Sequence, residues 1–225
     1  MKDYSQWNNT SWKFVYTIPW PLPVLYISTL TNDDTTSICP VVQTLIIDKV
    51  CSNISHRFPN IVTLLIQPGC SLPSNDYTAF RRLRHLTTTN ITQVPSSVLQ
   101  RLHTLTLSNI DDLIDHPVVY WNIKHFIIRD NQIGSSTPLR ALVQHFPHLH
   151  TLEIQLAKND DYYDNLNILL NAKHLCHLSV LKTNWVEERK YCFDINLWLK
   201  AKTNLKWRTI PFHGICDGNG LTICL

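Results

Sequence analysis

The chain has 225 residues, enough for one sizeable domain, and its 44% hydrophobic and 16% charged content is that of a globular protein rather than a disordered one. A net charge of +3 is too mild to imply a nucleic-acid partner, and no apolar run approaches the roughly 18 residues that a membrane span needs. No nucleic acid and no membrane are therefore expected as partners.

Residues 1–36 hold Trp7, Trp12 and Trp20, the prolines Pro19, Pro21 and Pro23, and the apolar stretch VLYI at 24–27. The start, MKDYSQWNNTSWKFVY, is polar where a secretory signal would need an apolar core. This segment reads as an N-terminal cap, with VLYI as a strand, covering a sheet edge that would otherwise be unpaired. The seven cysteines are odd in number and include no Cys-x-x-Cys pair, which fits reduced thiols and a cytoplasmic or nuclear location. The sequons at Asn8, Asn9, Asn53 and Asn90 then read as chance matches, the last two lying at turns that favour asparagine.

From residue 37 to 225 a short apolar phrase, Leu-x-x-Leu-x-Leu or a relative of it, recurs. It appears as VVQTLII with Val42 at its first apolar position, IVTLLI from Ile61, LRHLTT from Leu83, LHTLTL from Leu102, IKHFII from Ile123, LHTLEI from Leu149 and LCHLSV from Leu175. A degraded copy, LKWRTI, begins at Leu205. Spacings of 19 to 30 residues with this pattern are the signature of a leucine-rich repeat, in which each unit adds one strand to a curved parallel sheet. The expectation is an α/β leucine-rich-repeat solenoid of about eight units, strands on the concave side and short helices and extended segments on the convex side.

The early units carry Pro40, Pro59, Pro68, Pro73 and Pro95 between strands and leave room only for extended chain or a tight helical turn. The later units are longer and each gains a helix. Thr137 and Pro138 read as a cap and first helical residue before Leu139, Leu142 and Val143, Asp164 as a cap before Leu166, Leu169 and Leu170, and Asp194 as a cap before Ile195, Trp198 and Leu199. At the end, TIPFHGI (209–215), the turn Asp217-Gly218-Asn219-Gly220 and LTICL (221–225) read as a hairpin closing the second sheet edge.

Writing each strand as L1-x2-x3-L4-x5-L6-x7, period-2 geometry buries positions 4 and 6 and exposes 3, 5 and 7 on the concave face. This assigns His85 and Thr87, Thr104 and Thr106, His125, Ile127 and Arg129, Thr151, Glu153 and Gln155, and His177 as partner-binding candidates. Threonine also suits an exposed sheet face for its own sake. Ile127 and Arg129 beside Glu153 and Gln155 combine an apolar spot with opposite charges, as a modest protein-binding patch does, or simply form a cross-strand ion pair. The basic run Arg81-Arg82-x-Arg84-His85 reads as a solvated turn before a strand.

His145, His148, His150, His174 and His177 suggest a metal, but zinc needs ligands converging on one point. In the solenoid frame these five scatter, so no metal and no cofactor are expected. There is no G-x-S-x-G, no phosphate loop and no G-x-G-x-x-G, and no catalytic residue is assigned. A metal-dependent enzyme built on the histidines is the remote alternative.

The phrasing FPHLHTLEI after the helical TPLRALVQH, the phrase FPNIVTLLI, and the ending WLKAKTNLKW before a hairpin resemble the repeat half of F-box/leucine-rich-repeat proteins. The resemblance covers roughly residues 37–225. It implies a concave sheet that captures a protein substrate for ubiquitination, in a cullin-type ligase whose adaptor is bound by an F-box. Residues 1–36 lack the Leu-Pro-x-Glu helix start of an F-box. An adaptor contact therefore requires an F-box upstream, and the alternative is a free-standing scaffold or inhibitor.

Overall fold

The aliphatic positions of the recurring phrase come to lie side by side in one sheet. The computed structural model describes residues 24–27, 38–48, 54–113, 118–170, 175–184, 194–207, 211–217 and 220–225. Eight strands run parallel in chain order: β1 (Val24–Ile27), β2 (Thr44–Ile47), β3 (Thr63–Ile66), β4 (His85–Thr88), β5 (Thr104–Leu107), β6 (His125–Ile133), β7 (Thr151–Leu156) and β8 (Val180–Asn184). A hairpin of β9 (His213–Asp217) and β10 (Gly220–Cys224) follows, and β10 pairs antiparallel with β8. Between strands stand α1 (Ser74–Ala79), α2 (Ser96–Leu99), α3 (Ser136–His145), α4 (Tyr162–Leu169) and α5 (Ile195–Lys202), with 3-10 turns at Asp111–Leu113 and Asn204–Trp207. The class is α/β, with a ten-stranded, mostly parallel sheet.

Register turns the sequence pattern into a core. Leu45, Leu64, Leu86, Leu105, Phe126, Leu152 and Leu181 are successive partners across β2 to β8, and none is more than 1% exposed. Three residues before each lies a second buried row, Val42 to Leu178, and three before that a third, from Cys39 through Phe58, Phe80, Leu99, Tyr120 and Phe146 to Leu175. Phe146 stacks on Tyr120 at 5.5 Å and on Phe126 at 4.6 Å, tying the rows together. Leu139, Leu142 and Val143 of α3, Leu166 and Leu169 of α4, and Leu199 of α5 complete the same core. Each fully buried side chain of this size contributes about 1.5–3 kcal/mol relative to exposure, so the stacking of units supplies most of the stability.

Two inward positions are polar, and each has a partner. Thr88 Oγ1 donates to the Asn90 carbonyl and accepts from the Asn90 amide, both at 3.3 Å, while Thr183 Oγ1 donates to Asn184 Oδ1 at 3.1 Å. Asn90 Oδ1 in turn accepts from the Thr92 amide at 2.9 Å, the local backbone duty expected of an asparagine at a turn. Asn184 also clamps β7, accepting from the Leu156 amide and donating to its carbonyl, both at 2.8 Å.

Several local expectations are corrected. In the LCHLSV unit the strand begins at Val180, and Leu178 takes the first rather than the fourth position of the phrase. Leu181, mapped outward from the sequence, is fully buried. The degraded copy opens in a 3-10 turn, Asn204–Trp207, and its residues 208–210 lie outside the described residues; the edge of β8 is taken by β10, with Ile223 opposite Leu181. The eighth parallel strand is instead β1, which pairs with β2. The remainder of the expected cap, residues 1–23 and 28–36, lies outside the described residues. Ser135 holds the N-cap position of α3 without a side-chain capping bond, Pro138 is inside the first turn, and Asp164 lies inside α4 rather than capping it. Asp194 does cap α5, accepting from the amides of Asn196 at 2.9 Å and Leu197 at 3.0 Å. The terminal hairpin forms as expected, although β9 starts only at His213, after Pro211, which has no amide to give.

Candidate functional site

Side chains that alternate with the core rows form two registered rows on the other side of the sheet. The first is Thr44, Thr63, His85, Thr104, His125, Thr151 and Val180; the second is Ile46, Leu65, Thr87, Thr106, Ile127, Glu153 and Lys182. Most are half-buried or exposed, but Thr106, between Thr87 and Ile127, is only 4% exposed. It contributes shape rather than a free hydroxyl. The second row grades from apolar at β2 and β3, through threonine, to charged at β7 and β8.

The expected patch is brought together only in part. Ile127 is opposite Glu153, but the β6 register then shifts, so that Gln132 rather than Arg129 stands opposite Gln155. Arg129 is exposed in the stretch between the two registers. The charge facing Glu153 is Lys182, whose Nζ is 4.0 Å away with both side chains 51% exposed. Such an exposed pair is worth well under about 1 kcal/mol. Lys182 was hidden from the sequence because the frame of its unit is three residues later than the phrase suggests.

His177 does not sit on a strand. It lies in the turn before β8, where its ring stacks on His148 at 4.8 Å, near the spacing of adjacent strands, and on His150 at 6.1 Å. The exposed Trp121 ring lies against His148 at 5.2 Å, tilted by 52°. Burial first, then the neighbouring His103 and His125, hold the His85 imidazole below the usual histidine range. For His150 the causes are burial, then Lys124 and His177, then His125 and His148. A row of neighbouring imidazole rings thus runs along the start of β4 to β8.

Metal ligation needs lone pairs in the ring planes to meet at one point about 2.0–2.1 Å from each nitrogen. Near-parallel stacked rings direct those lone pairs side by side. His145 is elsewhere, buried, with Nδ1 2.7 Å from the Val118 carbonyl oxygen, and His174 lies outside the described residues. Among the described residues no three His, Cys, Asp or Glu side chains are grouped to hold an ion.

On the helix side, a cleft of about 630 Å³ between α3 and α4 is lined by Arg140, Asp161, Asp164, Asn165 and Asn204. Its lining is of mixed charge and also takes in Ser135, Ser136, Val143 and Ile168. No helix among the described residues is long and apolar enough to cross a membrane. No protein-family profile, curated protein or solved structure matches the chain.

Proposed function

We propose that the chain is a leucine-rich-repeat solenoid whose uncovered sheet face captures a protein partner without catalysing a reaction. The observation that supports this is the unbroken register of the two outward rows from β2 to β8. One unit after another offers its third and fifth strand positions to the same face. A long, shallow, graded surface of this kind suits a protein rather than a small molecule, which needs a concave pocket. Ile127 and its threonine neighbours provide the apolar centre, and Glu153, Lys182 and Arg129 the charged rim.

The resemblance of the repeat phrasing to F-box proteins makes a substrate receptor of a cullin-type ubiquitin ligase the preferred role. A free-standing scaffold or inhibitor remains the second reading, favoured by the lack of a Leu-Pro-x-Glu helix start in residues 1–36. Cross-linking in cells with tagged wild type, Ile127→Arg and Arg140→Glu tests both. Partners held by wild type and Arg140→Glu but lost from Ile127→Arg support recognition by the sheet face. Partners indifferent to Ile127→Arg refute it. Co-capture of a Skp-type adaptor with a cullin supports the ligase role, and the same partners without an adaptor support the scaffold.

A further inference from the structure

Three outward positions of each unit, the residue before L1 and those at x2 and x3, line the start of the strands. For β4 to β8 they read Arg82, Arg84 and His85; Arg101, His103 and Thr104; Asn122, Lys124 and His125; His148, His150 and Thr151; and His177, Ser179 and Val180. None is acidic, in a chain whose whole net charge is only +3. Six are histidines, and among the described residues none of the six has a carboxylate within 4.0 Å. Of the fixed cations, Arg101 is already committed, with Nη2 donating to the carbonyls of Tyr77 and Phe80 at 2.9 Å.

We propose that this histidine-rich band along the start of β4 to β8 is a docking surface for an acidic protein segment, which it grips more tightly as pH falls. The proposal rests on the reading that the chain recognises a protein, and it adds the chemistry of the partner and a condition for binding. Charge complementarity selects the occupant. The band gathers cations and rings that become cations, and Glu153, two residues beyond Thr151 on β7, already faces Lys182. Arg129, further along β6, adds to the positive side.

The ring geometry favours carboxylates over nucleobases. His148 and His150 both stack on His177, and the tilted Trp121 ring lies against His148. Ring faces of these three histidines lie against one another, so their N–H edges are what they offer a ligand, and an N–H edge is a carboxylate donor. Single-stranded nucleic acid instead needs open ring faces and a groove rich in permanent cations.

The pH dependence follows from the same crowding. Rings stacked at about one strand spacing repel when both are protonated, and Lys124 adds to that repulsion. A bound row of carboxylates offsets it, so protons and ligand bind together. The proton affinity of the rings rises on binding, and affinity for the acidic segment must then increase as pH drops through the histidine range.

The test uses the full chain, a fluorescent twelve-residue aspartate-rich peptide, its asparagine counterpart, and a twelve-nucleotide oligouridine RNA. Uptake of two or more protons gives a Kd at pH 5.5 at least about tenfold lower than at pH 7.5. The four-histidine variant His103→Gln/His125→Gln/His150→Gln/His177→Gln changes only exposed side chains, so it keeps its urea midpoint at pH 7.5 and loses most of that ratio. Three results each overturn the proposal: an unchanged ratio in the variant, equal binding of the asparagine peptide, or tighter binding of the RNA than of the aspartate peptide. Cellular partners lost from Ile127→Arg but indifferent to the four-histidine variant overturn it while leaving recognition by the sheet face intact.

Discussion

Phe126→Ala removes the largest side chain from the central buried row. Phe126 is fully buried, lies between Leu105 and Leu152 in register, and stacks on Phe146 at 4.6 Å. Neighbours on both sides are held by backbone ladders, so the site cannot collapse to fill the gap. Loss of transfer free energy plus the residual cavity then costs about 3–5 kcal/mol. Against a total stability of about 5–15 kcal/mol, that is a fifth or more of what holds the fold. For a chain of this size it corresponds to a Tm lowered by about 6–20 °C. Urea unfolding followed by tryptophan fluorescence and circular dichroism measures it, with the exposed His125→Ala as control, expected within about 0.5 kcal/mol of wild type. A loss below about 1 kcal/mol for Phe126→Ala would refute a continuous core shared by successive units.

Three smaller changes probe separate parts of the account by the same unfolding assay. Asp194→Ala deprives the Asn196 and Leu197 amides of their acceptor and should cost about 1 kcal/mol, whereas Asp164→Ala, which caps nothing, should cost less. Gly214→Ala places a methyl 2.6 Å from Leu199 Cδ1 and 3.2 Å from Ile195 Cγ1, and overpacking the α5 contact with β9 should cost about 1–3 kcal/mol; no loss would mean that α5 does not sit on β9 as described. His85 and His150 bind protons less readily folded than unfolded, so their contribution is intact above the ordinary histidine range and lost as pH falls through it. In the absence of ligand, wild type should lose stability from pH 7.5 to 5.5, and His85→Gln/His150→Gln should lose less; equal losses would rule out these rings as the cause.

The α/β class and the parallel run of strands were legible because the phrase repeats, and each copy from Val42 to Leu149 places its L1 and L4 residues where the pattern says. The slip in the next copy has a physical origin. Every unit buries a residue three before L1, as well as L1 and L4 three apart, so Leu175 and Leu178 mimic the pair Leu178 and Leu181. Thr183 in the L6 place removed the cue that would have fixed the frame, its hydroxyl being satisfied by Asn184. The β6 register shift, which separates Arg129 from Gln155, has no counterpart in the phrase at all. The histidine band was visible residue by residue, but only alignment of the units shows that its positions coincide. A search for metal-ligand spacing looks along the chain, whereas this cluster forms across it.

The register of the outward rows carries both the proposed function and the inference drawn from it, and cysteine pairs measure it directly. Registered neighbours on adjacent strands are close enough for a disulfide, which needs Cα atoms about 4.4–6.8 Å apart. Glu153→Cys with Lys182→Cys should cross-link under mild oxidation, as should Thr87→Cys with Thr106→Cys, with the bridges located by peptide mass mapping. Ready cross-linking of Glu153→Cys to Ser179→Cys instead, the pair that the repeat phrase alone would place side by side, would contradict the account.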